Sequence, residues 1–357
     1  MTFKQSGLLF LLILSIGLPA CDQPTEPKDT PGPDTTSHNF VWRVDTLGGP
    51  FSTAISIEIV NENEIYVGGE FFVYPDPTDL SVSDRFNLAV WDGNKWTLKK
   101  ILFVGYNNAP PYLSPIKIIK HFENGHILLV SSYNSFAKFD GKNWTSFYPG
   151  TGTDKQYCWA RSETDVYFAG DGGGFTHYDG STFKVIPTGV TNHFIDIWGD
   201  DKNVWITSDD QSTPAFAFGE FNGIQFRLID FNPKEGENRS PFGYRSVYKS
   251  KSNNSIFVMA VGALLEVTST NPYLYKTIYN TRESGYVFYW IRGNASNDLY
   301  LGDWNTQSFS HFNGKTWKTF TTNGEGQEAF TVKGNLIAGC GNASNINPPR
   351  VYVARHF

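Results

Sequence analysis

The sequence is poor in clustered positive charge, in catalytic signatures and in sulfur. Its 29 Lys and Arg against 35 Asp and Glu leave a net charge of −6, and the basic residues form no cluster. That pattern excludes the electrostatic footprint of a nucleic-acid binder and a polybasic face for anionic lipid. There is no Gly-x-Ser-x-Gly elbow, no phosphate-binding glycine loop and no His-Glu-x-x-His helix, which excludes the commonest hydrolase, nucleotide and zinc-protease chemistries. Gly172-Gly173-Gly174 reads as a turn between strands, because no helix follows it to receive an anion. Seven histidines (His38, His121, His126, His177, His193, His311 and His356) stand without metal-ligand spacing. No cofactor and no metal site is expected. Only two methionines and three cysteines are present.

What the sequence has in quantity is aromatic side chains and turn formers. Phe, Tyr and Trp number 29, 18 and 10, with 34 Gly and 19 Pro. Aromatic residues favour pleated, half-buried strands, and Gly and Pro favour the turns between them, so composition alone predicts an all-β chain.

The N-terminus reads as an address. Lys4 precedes an eleven-residue apolar stretch, Leu8 to Leu18. That length is too short for a bilayer span and suits the apolar region of an export signal. Leu18-Pro19-Ala20-Cys21 resembles the bacterial lipobox. The resemblance implies cleavage after residue 20, lipid on Cys21 and a lipid-anchored protein of the bacterial cell envelope. Residues 22–37 (DQPTEPKDTPGPDTTS) lack apolar residues and are rich in Pro, Thr and Asp. Such a stretch cannot bury a core and is expected to be a disordered tether, so residues 21–38 form the anchor and 39–357 the folded domain. Cys158 and Cys340 remain, both within apolar strand patterns; two buried free thiols are favoured over a disulfide.

Internal repetition decides the fold class. Five segments share an aromatic residue, Asp or Asn, Gly, two further residues and a second aromatic. They start at Trp91, Phe139, Tyr178, Phe221 and Phe312, with successive spacings of 48, 39, 43 and 91 residues. The last gap is two periods, with a degenerate copy at Asn271 to Tyr275. Asp-Gly and Asn-Gly between apolar runs signal tight hairpins, here expected as two-residue type I′ turns. A second element precedes each hairpin, as in Glu64-Ile65-Tyr66-Val67, Asp165-Val166-Tyr167-Phe168 and Asp298-Leu299-Tyr300-Leu301, and it occurs seven times. The repeat is strand, turn, strand, loop, strand, Asp-Gly turn, strand. Four antiparallel strands in roughly 45 residues make a propeller blade.

The seventh copy ends at Phe357 without its hairpin and fourth strand, while a spare strand, Phe40 to Val44, precedes the first copy. Pairing the two closes a seven-bladed β-propeller and leaves no open seam.

Two stretches carry a family resemblance. Trp198-Gly199 with Asn203-Val204-Trp205, and Asp165-Val166-Tyr167-Phe168-Ala169-Gly170-Asp171-Gly172-Gly173 with His177-Tyr178-Asp179-Gly180, resemble a repeat of bacterial extracytoplasmic propeller lipoproteins. Its pattern is W-G, D-V-[WY], G-D-G-G and H-[WY]-D-G-x-x-W. Gly68-Gly69-Glu70-Phe71 before Asn87-Leu88-Ala89-Val90-Trp91-Asp92-Gly93 is similar to a related form. The resemblance implies the fold and an envelope location and carries no activity, the role of most such proteins being unknown. The Asp-Gly hairpins also resemble the Asp boxes of sialidase-like propellers, but the full box and a matched catalytic arginine set are missing.

Function in a propeller is expected on loops at one end of the central channel, since loops vary freely on a rigid scaffold. The loops hold Tyr74, Asp76, Tyr106, Tyr112, Asp209, Asp210, Asp303 and Trp304. Flat rings beside acids suit recognition of a glycan or a protein partner. The same residues can equally pack loops and bond turn amides. The favoured expectation is a binding or scaffold module. The alternative is a glycan hydrolase or lyase using channel-mouth acids such as Asp209 and Asp303, which hydrolysis requires at about 5–5.5 or about 6.5–9.5 Å. Convergence of Asp171, Asp209, Asp210 and Asp303 on a cation is a minor reading, and His177 and His311, at equivalent blade positions, are expected to serve repeat packing.

Overall fold

A computed structural model describes residues 37–106, 109–150, 154–208, 218–229, 243–260, 262–268, 274–322, 326–342 and 346–357. The leader, Cys21, the tether to Thr36, Asp209, Asp210 and Asn271 lie outside the described residues.

Seven four-stranded antiparallel sheets form the chain into a β-propeller. In blades one to six the strands follow chain order from the inside outward, beginning with Thr53–Asn61, Ile116–His121, Tyr157–Ser162, Phe194–Gly199, Tyr244–Lys249 and Phe288–Ala295. Each inner strand neighbours the next, and Ala329–Lys333 of blade seven lies beside Thr53–Asn61 of blade one, so the ring closes. A small extra hairpin, Leu102–Phe103 with Tyr112–Leu113, fills the connection between blades one and two.

Second strands such as Ile127–Ser131, Val204–Ser208 and Ser255–Ala260 are buried on both faces, which explains their unbroken apolar sequence. Their side chains alternate between two interfaces. Leu299 and Leu301 pack toward blade five, whereas Tyr300 packs toward blade seven. Cys340 is buried and Cys158 half-buried; both are free thiols.

The Asp-Gly segments are tight hairpins, but the turn chemistry differs from type I′. Trp91 pairs with Trp96, so the loop has four residues, 92–95. Gly93, Gly141, Gly180, Gly223 and Gly314 have φ between +86° and +93°, while the preceding Asp or Asn is not left-handed. That Asp or Asn acts through its side chain. Asp92 Oδ1 accepts the amides of Asn94 and Lys95, both at 2.9 Å, and Asp140, Asp179, Asn222 and Asn313 repeat the pattern. The side chain accepts the turn amides, which Asp and Asn do well and Ser or Thr more weakly.

Blade seven is closed as the repeat count requires. Phe40–Thr46 pairs antiparallel with Arg350–His356 over seven positions, from Phe40 opposite His356 to Thr46 opposite Arg350. Trp42, opposite Ala354, stands where Trp96 stands opposite Trp91 and Trp317 opposite Phe312. It packs on Phe309 and Phe320 of blade six. Beyond Trp42 the pairing continues for two more positions, where the other blades have already turned. Ser37 and His38, assigned to the tether on composition, are seated on the domain: Ser37 Oγ bonds the Phe357 carbonyl and His38 bonds His311.

Candidate functional site

Antiparallel alternation sorts the connections onto two rims. Asp-Gly hairpins lie on one rim; the connections between second and third strands and between blades lie on the other, the loop face. Inner strands begin at the loop face, since Phe288 pairs with Asp303 and Tyr244 with Ala260.

On this face Trp304 is exposed, and its ring stacks on Tyr289 at 5.1 Å between centroids with 28° between planes. The Arg245 guanidinium lies over the other partner, 4.3 Å from the Tyr289 ring centre, in cation–π geometry. Arg245 and Tyr289 open the inner strands of blades five and six, so the stack runs from the channel mouth to the loop of residues 303–308. Neither residue was legible as a site residue in the sequence, because both fall inside strand patterns rather than loops.

Asp303 builds the platform. It is fully buried, and its carboxylate accepts the Val287 amide at 2.7 Å, the Thr306 amide at 2.9 Å and the Thr306 hydroxyl. The loop is tied further by Trp304 N–H to the Val287 carbonyl, and by Gln327 N–H to the Trp304 carbonyl at 2.7 Å. Gln307 is held at φ +49°, a left-handed conformation that non-glycine residues adopt only where surroundings impose it. Trp304 is therefore presented on a fixed loop.

Other sequence candidates separate by role. Tyr74 packs its own loop, stacking on Phe72 and donating to the Pro50 carbonyl at 3.1 Å. Asp76 caps a turn, accepting the Thr78 amide at 2.8 Å and hydroxyl at 2.7 Å. Both residues, with Asp303, do the local bonding their types predict. Tyr106 is exposed and packs edge-on against Tyr148 at 5.6 Å. Tyr112 is half-buried, bonds Ser135 Oγ at 2.9 Å and adjoins the exposed Tyr133. These tyrosines form two aromatic pairs, each joining the connection between blades one and two to blade two. Asp171 pairs with His193.

The acid pair needed for glycan hydrolysis is not assembled from Asp303, whose oxygens are spent on its loop. Asp196, on the inner strand of blade four, is an acid that Arg292 holds. Arg292 Nη1 and Nη2 reach the two Asp196 oxygens at 2.9 and 3.0 Å, and Nη1 also reaches Ser246 Oγ at 3.0 Å. The network ties the inner strands of the neighbouring blades four, five and six.

On the opposite rim the histidines are less scattered than the sequence implies. Asp165 and His177 bond at 2.8 Å with His177 stacked on Tyr167; Asp298 and His311 repeat this at 2.9 Å with His311 stacked on Tyr300. This is the repeat-packing role expected of both histidines. In blade six, however, His38 and His356 join the pair, and one ligand atom from each of Asp298, His311 and His356 lies within 4.8 Å of the others. No spacing rule finds this cluster, because its members are up to 318 positions apart along the chain.

No family model matches the chain, and no curated protein does. Solved structures do match. Virginiamycin B lyase from Staphylococcus aureus is 10% identical, with a TM-score of 0.65 over 89% of this chain and 100% of the lyase. YCF48 from Cyanidioschyzon merolae is 11% identical, with a TM-score of 0.59 over 88% of this chain and 98% of that one. YCF48 bound to D1 peptide matches at 9% identity and a TM-score of 0.61, over 92% of this chain and 99% of that one. At such identities the likeness is one of fold.

Proposed function

We propose that the protein is a lipid-anchored envelope lipoprotein of the bacterial propeller type its repeats resemble, and that it works as a recognition module through its loop face. The observation that carries this reading is the Trp304–Tyr289–Arg245 stack at the channel mouth. A half-exposed ring fixed on a rigid loop loses little entropy on binding, and a flanking guanidinium places positive charge beside it. The apolar face of a sugar ring or an aromatic side chain of a protein partner fits such a platform. Two fold neighbours are seen with bound molecules, YCF48 with D1 peptide and a catalytically inactive virginiamycin B lyase with quinupristin, which supports ligand capture by this scaffold. The anchor reading rests on Leu18-Pro19-Ala20-Cys21 and the apolar-free tether after it.

The test is a glycan array and an envelope-fraction pull-down with the mature chain and its Trp304→Ala variant. Saturable binding that falls about tenfold or more on loss of Trp304 is expected, as for a central aromatic anchor. Binding unchanged by Trp304→Ala and Tyr289→Ala sinks the platform. Membrane release of a Cys21→Ser variant, with the wild type retained, tests the anchor separately.

A further inference from the structure

The outer edge of blade seven is unlike the other six. Five of those six edge strands carry a basic residue: Lys99, Lys184, Arg227, Lys276 or Lys318. A charge on an edge strand deters a further strand from pairing with it. Blade seven ends instead on Phe40–Thr46, seven residues long, and both its charges are turned back onto blade one. The Arg43 guanidinium lies 3.3 Å from the Trp91 ring centre, and its Nε is 3.0 Å from Asp45 Oδ2. Asp45 also accepts the Trp96 indole N–H at 2.9 Å. What the strand leaves outside is apolar, with Val41, Trp42 and Val44 all exposed.

The backbone of this strand is only half used. The Phe357 N–H donates to the Asn39 carbonyl and the Leu47 N–H to the Pro349 carbonyl, both at 3.1 Å. The two bonds share the register of the strand pair, and bonding in an antiparallel ladder recurs at every second residue. Val41, Arg43 and Asp45 therefore spend their N–H and C=O groups on Arg350–His356. Phe40, Trp42, Val44 and Thr46 point theirs outward, and among the described residues no strand lies beyond them.

We infer that a second copy of this chain docks on that edge, the two closing strands pairing antiparallel about a two-fold axis at Val44. Such pairing adds strand to strand through main-chain bonds, with the same patch used on both copies. Charge selects the register. An axis at Arg43 opposes two guanidiniums, and an axis at Trp42 sets Arg43 opposite Val41 and Asp45 opposite Asn39. The axis at Val44 sets Arg43 of each copy opposite the other copy's Asp45, so the one register that pairs both charges pairs them twice. Because the outward residues take the new main-chain bonds, Arg43 and Asp45 meet in the non-hydrogen-bonded kind of pair, where side chains come closest. Opposite charges so placed stabilise a sheet and like charges destabilise it. The edge is the outer rim of blade seven, and this contact does not depend on what the loop face binds.

The experiment is sedimentation of the mature chain, carrying Cys21→Ser to keep it free of lipid, across a range of concentrations. A monomer–dimer equilibrium is expected. Val44→Lys sets two like charges opposite each other and should weaken association roughly tenfold or more. Arg43→Asp and Asp45→Arg should each weaken it as well, and an equimolar mixture of the two should regain the dimer, because each supplies the charge the other lacks. A defect confined to one copy is not repaired by mixing. Should either charge variant fail to fold by circular dichroism, Val44→Cys replaces it. Residues opposed in a hydrogen-bonded antiparallel pair have Cα atoms about 5.5 Å apart, within disulfide reach, so oxidation should link Val44→Cys copies and leave Val41→Cys copies, which face Leu47, unlinked. A folded chain that stays monomeric at every concentration, a dimer indifferent to Val44→Lys, or single variants that mixing does not rescue overturns the assignment. So does a monomer that dimerises only once residues 22–36 are deleted, which gives the edge to the chain's own tether.

Discussion

Arg292 grips Asp196 through two hydrogen bonds, of 2.9 and 3.0 Å, reaching from the inner strand of blade six to that of blade four. The Asp196 side chain is 5% exposed, so its charge has little water to fall back on. Removing one member of a buried pair strands the other, at a cost of about 3–5 kcal/mol. Arg292→Ala is expected to lower stability in urea by that order. The double variant Arg292→Met with Asp196→Leu should recover much of the loss, because no charge is left buried. Equal unfolding midpoints for wild type and Arg292→Ala would falsify a structural role for the pair.

Closure makes a second prediction. Phe40 packs against Phe320 at 4.8 Å, Phe309 at 5.3 Å and His356 at 4.8 Å, and Trp42 adds contacts to the same cluster. Deleting Phe40 to Val44 exposes that cluster and the edge of Arg350–His356. Its Tm is expected to drop by several degrees or more, while a deletion within residues 22–36 leaves Tm unchanged. Matching melting curves for the two deletions would contradict closure by the N-terminal strand.

Acid should weaken the blade-three set. Burial alone raises the pKa of Asp165, but hydrogen bonds from Arg161 and His177 outweigh it, so the carboxyl sits below its ordinary value of 3.8. A carboxyl depressed in the folded state contributes stability that is complete above the unfolded value and is lost as pH falls through the folded one. Urea midpoints should therefore decline below about pH 4. Asp165→Asn, which has no charge to titrate, should start lower at pH 7 and decline less steeply. A variant parallel to wild type across that range would remove Asp165 from the acid limb.

The architecture was legible because each of its causes is local and repeated. An aromatic residue, Asp or Asn and Gly make a hairpin within six residues, and seven apolar second strands mark seven blades whatever their surroundings. Even the closing strand could be read, as a surplus at one end matching a deficit at the other. Turn type was misread for a local reason as well: Asp92 and its equivalents work through side-chain acceptors, which a rule based on backbone φ does not register.

The sites were another matter. The sequence alone determined which residues are aromatic, acidic or imidazole, and how often each recurs. It could not separate Asp303, buried beneath its loop, from an acid open to ligand, since both readings ask for Asp at a second-strand end. Nor could it join Arg245 to Tyr289 and Trp304, or His38 to His311 and His356. Those meetings depend on how neighbouring blades sit and on ring closure, which places both ends of the chain beside blade six. Strand periodicity is a property of a few consecutive residues; juxtaposition across a closed ring is a property of the whole chain, and only the tertiary structure holds it.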